Sequence, residues 1–357
     1  MMRGRTMSAV VVTPEGGLRV DAAPYPVLVE PDDAIVRITT SAICGSDLHL
    51  RHGRIPGMRV GSVVGHEYVG VVEQVGPDAR GLAPGDRVLG SFMVPCGTCW
   101  ACLRGAFGRC PTHRILGYGQ YTGDLDGAQA EAVRVPRAAL SLRPLTTGAA
   151  EQLTDEQVLP VGDVLTTGYD CAAEGRITAG DVVMVQGLGP VGLFALQSAL
   201  LFEPGLVIAV DPLADRRDRA ARLGAVALDP GEVDIPSAVR DRTSGTGADV
   251  VLECVGALPA LEQALAAVRP GGRVSVVGIY SEPTWTTALN VHFARGVELK
   301  LCGTANVVGL WESTLSLVAD GTIDTSGVVS HSLPLEQADD GYARLEAGEA
   351  FKVLLTP

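Results

Sequence analysis

The stretch "GDVVMVQGLGPVGLFALQSALLF" (residues 180–202) decides the fold of this chain. Its first half predicts a buried strand over 182–185, and its apolar second half predicts a helix. Between them lies the spacing Gly187-x-Gly189-x-x-Gly192. Glycines in such a turn allow a pyrophosphate to approach backbone N–H groups at the positive end of the helix. The stretch therefore predicts a dinucleotide site.

An acidic residue follows at the position where it would read the cofactor. The short strand "LVIAV" (206–210) ends at Asp211, about twenty residues beyond the last glycine. Asp211 would accept hydrogen bonds from the adenosine ribose, and a 2′-phosphate would meet a like charge. We therefore expect NAD rather than NADP, although Arg216 and Arg217 lie close enough to weaken that preference.

Strands and helices continue to alternate after this motif. The sequence predicts a strand over 248–256, a helix over 257–272 that ends at glycine, and a strand over 273–280. Such alternation is typical of a doubly wound parallel sheet with helices on both faces. Residues 159–303 are thus predicted to form an NAD-binding Rossmann domain.

A second stretch, "CGTCWACLRGAFGRC" (96–110), holds four of the eight cysteines. Four thiolates at this spacing can enclose zinc in a closed tetrahedral site that performs no chemistry, and Gly97 allows the tight turn. An iron–sulfur cluster is the alternative. We expect structural zinc. Three other cysteines lie in apolar strand or helix patterns and are interpreted as core residues: Cys171, Cys254 and Cys302.

Three distant segments offer ligands for an open metal site. Cys44 follows a predicted strand, His66 and Glu67 precede another, and Asp163 precedes a predicted helix. Thiolate, imidazole and carboxylate suit catalytic zinc with one position left for substrate. The residues alone leave two alternatives open: His66 as a structural histidine, and Asp163 as a helix N-cap.

Composition excludes several classes of function. A chain of 357 residues with 46% hydrophobic residues predicts two well-packed domains. A net charge of −13 disfavours nucleic acid and membrane surfaces as partners. No apolar run is long enough to span a bilayer, and the N-terminal apolar stretch is too short for a signal peptide. We expect a cytoplasmic protein.

The complete pattern resembles the zinc-containing medium-chain dehydrogenases/reductases from end to end. The similarity is carried by motifs in the family's order: "CGSD-x-H", "GHE", "PGDRV", the cysteine stretch, "GLGPVG" and "LPLEQADDGYARLEAGEAFKVLLTP". This resemblance implies an α/β protein in which a GroES-like distorted β-barrel domain (1–158 and 304–357) carries catalytic zinc and a structural zinc lobe (about 95–111). The Rossmann domain would be inserted between its two segments.

The resemblance also implies roles for individual residues. Cys44, His66 and Glu67 match the zinc-site residues, Glu67 either ligating or exchanging with water. Asp163 stands where many members have cysteine, which resembles a bacterial aspartate-ligand branch. Asp47 would orient the histidine ligand, whereas Gly45 replaces a basic residue that contacts the cofactor phosphate in some relatives. Cofactor contacts are implied for Thr167, Gly187, Gly189, Pro190, Val191, Gly192, Asp211, Arg216, Val255 and Val277.

The implied reaction is hydride transfer between an alcohol and NAD. Zinc would acidify the alcohol, Ser46 would take its proton, and His49 would pass the proton toward solvent through the cofactor ribose. The alternative is that Ser46 only caps a helix and His49 lies on its surface. Phe92 and Tyr118 are expected in the substrate pocket, with Tyr121 at its border.

Several functions remain in competition on the sequence. The first is an NAD-dependent alcohol, polyol or biosynthetic ketone/aldehyde oxidoreductase. The others are an aldehyde dismutase or formaldehyde dehydrogenase-like enzyme with tightly bound NAD, an NADP-dependent alcohol dehydrogenase, and a zinc-ribbon binding module. Arg51, His52 and Arg54 leave an anionic substrate open. The family forms homodimers and homotetramers, and residues 275–280 and 296–303 could supply a strand-edge contact.

Overall fold

The computed structural model describes residues 4–146 and 148–357. The chain divides into two compact units. The terminal unit comprises the chain up to Asp163 together with Asn306–Pro357, and the inserted unit comprises Val164–Ala305. Within the described part of the chain, no helix is both long enough and apolar enough to cross a membrane.

The strands and helices are numbered in chain order. The strands are β1 (Thr6–Val12), β2 (Leu18–Pro24), β3 (Ala34–Ile43), β4 (Glu67–Val75), β5 (Arg87–Gly90), β6 (Met93–Val94), β7 (Arg114–Ile115), β8 (Ala132–Val135), β9 (Leu142–Pro144), β10 (Val182–Gln186), β11 (Leu206–Val210), β12 (Val226–Leu228), β13 (Ala248–Glu253), β14 (Val268–Val276), β15 (Glu298–Leu301), β16 (His331–Pro334) and β17 (Val353–Thr356). The α-helices are α1 (Asp47–Arg51), α2 (Ala138–Ser141), α3 (Asp155–Val158), α4 (Val164–Glu174), α5 (Pro190–Leu200), α6 (Ala214–Arg222), α7 (Ile235–Arg242), α8 (Leu258–Ala267), α9 (Leu289–Arg295), α10 (Val307–Ala319) and α11 (Ala338–Glu346). Short 3₁₀ turns lie at Cys102–Arg104, Phe107–Arg109, Gln120–Thr122, Ala149–Gln152, Leu159–Gly162 and Leu335–Gln337.

The inserted unit is built on a parallel sheet in the order β12-β11-β10-β13-β14-β15. Its central strands are nearly continuous runs of valine, isoleucine, leucine and alanine, since helices cover both faces of such a sheet. Two separate apolar clusters result. The parallel sheet predicted from the sequence is confirmed, and β10 begins at the predicted Val182.

Three predicted boundaries after residue 247 were wrong. The helix over 257–272 ends at Ala267, because Val268 already pairs with Ala248 as the first residue of β14. The strand over 273–280 correspondingly ends at Val276. The strand over 248–256 stops at Glu253, whose carboxylate turns the chain by accepting the backbone N–H groups of the second and third residues that follow it.

The terminal unit carries a sheet in the order β16-β17-β3-β4-β5-β9, with β8 also paired to β3. Pairing is antiparallel except between β16 and β17. The register of β3 against β4 places Ala42 opposite Glu67, and register shifts interrupt the same pair. Strand β17 places Val353 opposite Ile43. These pairings bring the end of β3, the start of β4 and the residues before β17 to one place.

Candidate active site

Four side chains from three segments converge in the terminal unit. The ligand atoms of Cys44, His66, Glu67 and Asp163 all lie within 4.8 Å of one another. Asp163 Oδ2 is 3.4 Å from His66 Nε2 and 3.7 Å from Cys44 Sγ. All but the half-buried Cys44 are buried. We call this group the Cys44 cluster.

Local backbone geometry explains how the segments deliver these residues. Cys44 follows the last residue of β3, and Glu67 is the first residue of β4. Gly65, just before His66, has φ = +90°, and a Cβ there would stand 2.4 Å from the Gln129 side chain. Glycine is therefore required where the chain turns into β4. Asp163 lies between a 3₁₀ turn and α4.

A buried network holds the histidine and the cysteine. Asp47 Oδ1 lies 3.4 Å from His66 Nδ1, and Asp47 Oδ2 accepts the Cys44 backbone N–H at 3.0 Å. Gln129 Nε2 donates to the same Asp47 oxygen at 2.9 Å, and the Tyr342 hydroxyl donates to Gln129 Oε1 at 2.7 Å. Gln129 and Tyr342 were not predicted from the sequence.

Electrostatics favour a cation in the Cys44 cluster. Burial raises the pKa of the Cys44 thiol, and the carboxylate of Glu67 raises it further. Burial opposes protonation of His66, but Asp47 and Asp163 together hold the pKa of His66 well above its ordinary value. The cluster offers a thiol, an imidazole and two carboxylates. These donors, two of them acidic carboxyl groups, fit a divalent ion of borderline softness such as zinc.

Glu67 has a partner that the sequence did not reveal. Lys352 Nζ donates to Glu67 Oε1, and both side chains are buried. Burial raises the pKa of Glu67 against the attraction of the ammonium group. Burial also opposes the charge on Lys352, yet Glu67 holds the pKa of Lys352 above its ordinary value. We assign an ion pair, because either charge alone would be strongly disfavoured here.

The four cysteines of residues 96–110 also converge, with ligand atoms within 4.8 Å of one another. Cys102 Sγ is 3.5 Å from Cys99 Sγ and 3.9 Å from Cys96 Sγ. Backbone N–H groups point at the sulfurs: that of Thr98 first and that of Cys99 lower the pKa of the Cys96 thiol to about 5. Gly97 has φ = +77°, as the predicted tight turn requires. We call this group the thiol cluster.

The side chains predicted for proton transfer and substrate contact adjoin the Cys44 cluster to different degrees. Ser46 Oγ is 3.4 Å from His66 Nε2; Ser46 lies at the N-cap of α1, but its side chain makes no capping hydrogen bond. The rings of Phe92 and Tyr118 present edge contacts to the His66 ring at 6.2 and 6.1 Å between centroids. His49 is half-buried in α1.

The outer residues considered for substrate contact are directed elsewhere. Tyr121 is 80% exposed. Arg51 pairs with Asp339 and Glu346, and His52 Nε2 lies 2.5 Å from Glu346 Oε1. These ion pairs satisfy Arg51 and His52, which weakens the argument for an anionic substrate.

The glycine turn of the inserted unit has the geometry expected of a phosphate-binding loop. Gly187 has φ = +82°, and a Cβ on Gly192 would stand 1.7 Å from the Gly187 carbonyl oxygen. Asp211 Oδ2 accepts the Leu188 N–H at 2.8 Å and Oδ1 accepts the Leu213 N–H at 2.9 Å. Asp211 therefore fixes the loop that contains the glycines.

A cavity of about 490 Å³ opens beside this loop within the inserted unit. Arg216 Nη1 lies 3.5 Å from Asp211 Oδ2 at its wall, and Gln186 donates to Gln263 Oε1 at 2.8 Å. Five residues predicted to contact the cofactor line it: Gly187, Gly189, Asp211, Arg216 and Val255. The others do not line it: Thr167, Pro190, Val191, Gly192 and Val277.

The remaining cysteines lie in the inserted unit. Cys171 and Cys302 are buried around the Ser275 hydroxyl, which donates to the Cys171 carbonyl oxygen at 2.8 Å and lies 3.2 Å from Cys302 Sγ. Cys254 is half-buried and lines the cavity.

Two family models match the sequence. The alcohol dehydrogenase GroES-like domain matches residues 30–144, and the zinc-binding dehydrogenase model matches residues 190–325. Together with the parallel sheet, they confirm the predicted fold class of a GroES-like domain and a Rossmann domain.

Similar proteins cover nearly the whole chain. An alcohol dehydrogenase of Cupriavidus necator is 34% identical over 94% of this chain and 94% of its own length. The solved alcohol dehydrogenase TADH from Thermus sp. ATN1 is 41% identical, with a TM-score of 0.91 over 98% of this chain and 99% of its own. A zinc-binding dehydrogenase from Sinorhizobium meliloti 1021, solved with NADP, is 28% identical, with a TM-score of 0.85 over 99% and 100% of the two chains.

Proposed function

The chain belongs to the zinc-containing medium-chain dehydrogenases/reductases, and from that premise we propose that it transfers a hydride between NAD(H) and a small alcohol–carbonyl pair. It is a zinc-dependent oxidoreductase acting on alcohols or carbonyl compounds, and it uses a nicotinamide cofactor. The convergence of Cys44, His66, Glu67 and Asp163 carries the proposal, because unlike donors from three distant segments meet in one buried place. The thiol cluster would hold a second, structural zinc ion.

The chain's own residues would prepare the substrate. When bound, zinc supplies a Lewis acid for the substrate oxygen and nicotinamide supplies the hydride acceptor. Asp47 fixes the ring of His66 by lying against Nδ1, which leaves Nε2 directed at the other residues of the Cys44 cluster. Phe92 and Tyr118 border the same histidine with apolar ring edges, and they would exclude water from the reacting carbon.

Proton transfer is assigned to Ser46 and His49. The Ser46 hydroxyl lies beside the Cys44 cluster, and it makes no helix-capping hydrogen bond that proton transfer would break. It would accept the substrate hydroxyl proton, and the half-buried His49, three residues further along the chain, would carry a proton toward solvent. Burial and the neighbouring Arg54 and His52 lower the pKa of His49, so its neutral, proton-accepting form persists to lower pH.

NAD is the proposed cofactor because Asp211 brings a buried carboxylate to the cavity wall. NADP is the second candidate, and a specific observation favours it. Arg216 lies 3.5 Å from Asp211 Oδ2 and could offset the carboxylate charge or receive a 2′-phosphate. The relative from Sinorhizobium meliloti was solved with NADP.

We further infer a homodimer or homotetramer assembled through the edge of the parallel sheet. Strand β15 ends that sheet, and Leu301 in it is 64% exposed. Leu289 and Phe293 on α9 are 73% and 85% exposed. An edge strand with apolar neighbours is a template for pairing with a second copy of itself. Phe293→Asp should therefore lower the mass measured by light scattering, and an unchanged mass would exclude this face.

A reducing compartment such as the cytoplasm fits the proposal, because clustered thiols must stay reduced to hold zinc.

Zinc analysis combined with an NADH-linked screen of alcohols, polyols and aldehydes tests the proposed reaction. We expect two zinc ions per chain and turnover that stops when zinc leaves the Cys44 cluster. Turnover that survives that loss would contradict the proposed chemistry. Stoichiometric NAD in the purified protein, with aldehyde disproportionation, would instead indicate the dismutase-like alternative.

A further inference from the structure

Lys352 is an unusual residue in this chain. Of the 28 lysines and arginines in the sequence, only Lys300 and Lys352 are lysines. Lys300 lies in β15 and pairs with the partly exposed Glu174 at 3.0 Å. Lys352 is 2% exposed and donates to Glu67 Oε1 beside the Cys44 cluster. Burying an ammonium group costs several kcal/mol unless it is paired, so this position is not an incidental surface charge.

The backbone of the terminal unit fixes Lys352 in this place. Its carbonyl oxygen accepts the Ser330 N–H at 2.9 Å and the Ser330 hydroxyl at 3.1 Å. The Ser330 hydroxyl in turn accepts the Phe351 N–H at 2.8 Å. The next residue, Val353, pairs with Ile43, the residue before Cys44. The register of β17 on β3 therefore places the Lys352 ammonium group beside the Cys44 cluster.

Glu67 is held at one oxygen only. Oε1 contacts Lys352, whereas Oε2 is buried with no hydrogen-bond partner among the described residues. A ligand oxygen of this carboxylate lies within 4.8 Å of the donor atoms of Cys44, His66 and Asp163. An unpaired buried carboxylate oxygen is costly, and a cation among those donors would satisfy it.

We propose that Lys352 is a positioning residue that makes Glu67 a displaceable ligand of the metal rather than a permanent one. This inference rests on the proposed function. By holding Oε1 and offsetting one negative charge, Lys352 stabilises Glu67 when a substrate oxygen takes its place. Without the ammonium group, the buried Glu67 carboxylate loses the counter-charge at Oε1, the metal becomes its counter-ion, and Glu67 stays on the metal.

The choice of lysine supports this role. An ammonium group is a compact point charge that can hold a single carboxylate oxygen, whereas a guanidinium group tends to take both oxygens in a bidentate pair. Arginine would therefore withdraw Glu67 from the metal altogether. The chain uses arginine for nearly every other cation and lysine at this position.

Two substitutions should move the metal site in opposite directions. In the zinc-loaded protein, Lys352→Met should slow zinc release to a chelator at least about threefold, because an opposing charge is removed and Glu67 binds more firmly. It should also lower kcat/KM about 10- to 100-fold, mainly through KM, because the substrate must displace a tighter ligand. Lys352→Arg should speed zinc release, because both Glu67 oxygens are drawn away.

Zinc release is measured with a metal indicator, and the phase that Cys44→Ser eliminates is assigned to the Cys44 cluster. Lys300→Met is the matched control, since it removes the other lysine and its ion pair in the inserted unit; zinc release from the Cys44 cluster should not change. Folded Lys352→Met that releases zinc as fast as the native chain, or faster, would overturn the proposal. If that variant fails to fold, unchanged or slower release from Lys352→Arg would overturn it. A native chain that binds no metal would instead count against the proposed function itself.

Discussion

Alanine substitutions at Gly192 and Gly189 separate the structural role of the glycine turn from its role in binding. A Cβ on Gly192 would stand 1.7 Å from the Gly187 carbonyl oxygen, where ordinary contact begins at 3.4 Å. Gly187 has little room to retreat: a Cβ built on it would stand 2.7 Å from Val255 Cγ2 and 3.2 Å from the Cys254 carbonyl oxygen, so the turn lies close against these two residues, and its φ is +82°. Gly192→Ala therefore forces the turn and the start of α5 apart.

The expected cost follows from that overlap. Overpacking of this kind costs about 1–3 kcal/mol, which lowers the Tm of a unit of this size by about 2–12 °C. Displacing the turn should also weaken NADH binding at least about tenfold, equivalent to about 1.4 kcal/mol. Calorimetry measures the first effect, and a fluorescence titration with NADH measures the second.

Gly189→Ala is the matched control. Its Cβ would meet only Arg216 Nη1, at an ordinary 3.6 Å, and its φ of −62° suits alanine. The Tm should remain within about 1 °C of the native value, whereas the new methyl group stands where the pyrophosphate approaches the loop and should weaken NADH about tenfold. Native NADH affinity in both variants would refute the assignment of this turn to the cofactor.

Four further predictions concern the two metal sites, cofactor choice and pH. Cys44→Ser should abolish turnover yet leave the Kd for NADH within about twofold, because the cavity lies in the inserted unit; a parallel loss of NADH affinity would contradict this. Cys102→Ser should lower the Tm by several degrees before it affects hydride transfer, as zinc content and calorimetry can show; a stable variant with native zinc content would exclude the structural assignment. Asp211→Asn keeps an acceptor for the Leu188 N–H, gives up the one for the Leu213 N–H and removes the charge, so kcat/KM for NADP relative to NAD should rise about tenfold; an unchanged ratio would mean that Asp211 does not read the ribose. Because burial and then Arg54 lower the pKa of His49, Arg54→Ala should shift the acidic limb of the rate profile to higher pH, and an unmoved limb would remove His49 from the proton path.

The same pKa shift has a consequence for stability. Below about pH 6.5, the unfolded chain binds a proton at His49 that the folded chain resists, so this residue lowers the free energy of unfolding as the pH falls. Arg54→Ala should reduce that loss. Urea titrations at several pH values between 5 and 8 measure it.

The parallel sheet of the inserted unit could be predicted because its signals are local. Val182 to Asp211 contain a strand, a turn and a helix whose pattern needs no distant partner. The end of α8 was harder to predict, because the pairing of Val268 with Ala248 ends that helix and such a contact is not local. The residues alone left Asp163 open as a metal ligand or a helix N-cap, and only similarity favoured the ligand, since a 3₁₀ turn and α4 deliver it to residues far away in sequence.

The place of Lys352 beside Glu67 could not be predicted from the sequence. Lys352 lies within the quoted C-terminal motif, yet no spacing marks it as a neighbour of Glu67, and only the register of β17 on β3 brings them together. Its one signal in the sequence is the scarcity of lysine in a chain that otherwise uses arginine. Gln129 and Tyr342 carried no comparable signal, because a buried glutamine is recognised by its partners rather than by its neighbours in sequence.

A crystal of the zinc-loaded protein, measured at wavelengths on both sides of the zinc absorption edge, tests the account most directly. We expect an anomalous peak about 2.3 Å from Cys44 Sγ and about 2.0–2.2 Å from a His66 nitrogen and an Asp163 oxygen, with a second peak inside the thiol cluster. Zinc in the thiol cluster alone, with Cys44, His66 and Asp163 in direct contact and no metal between them, would contradict it.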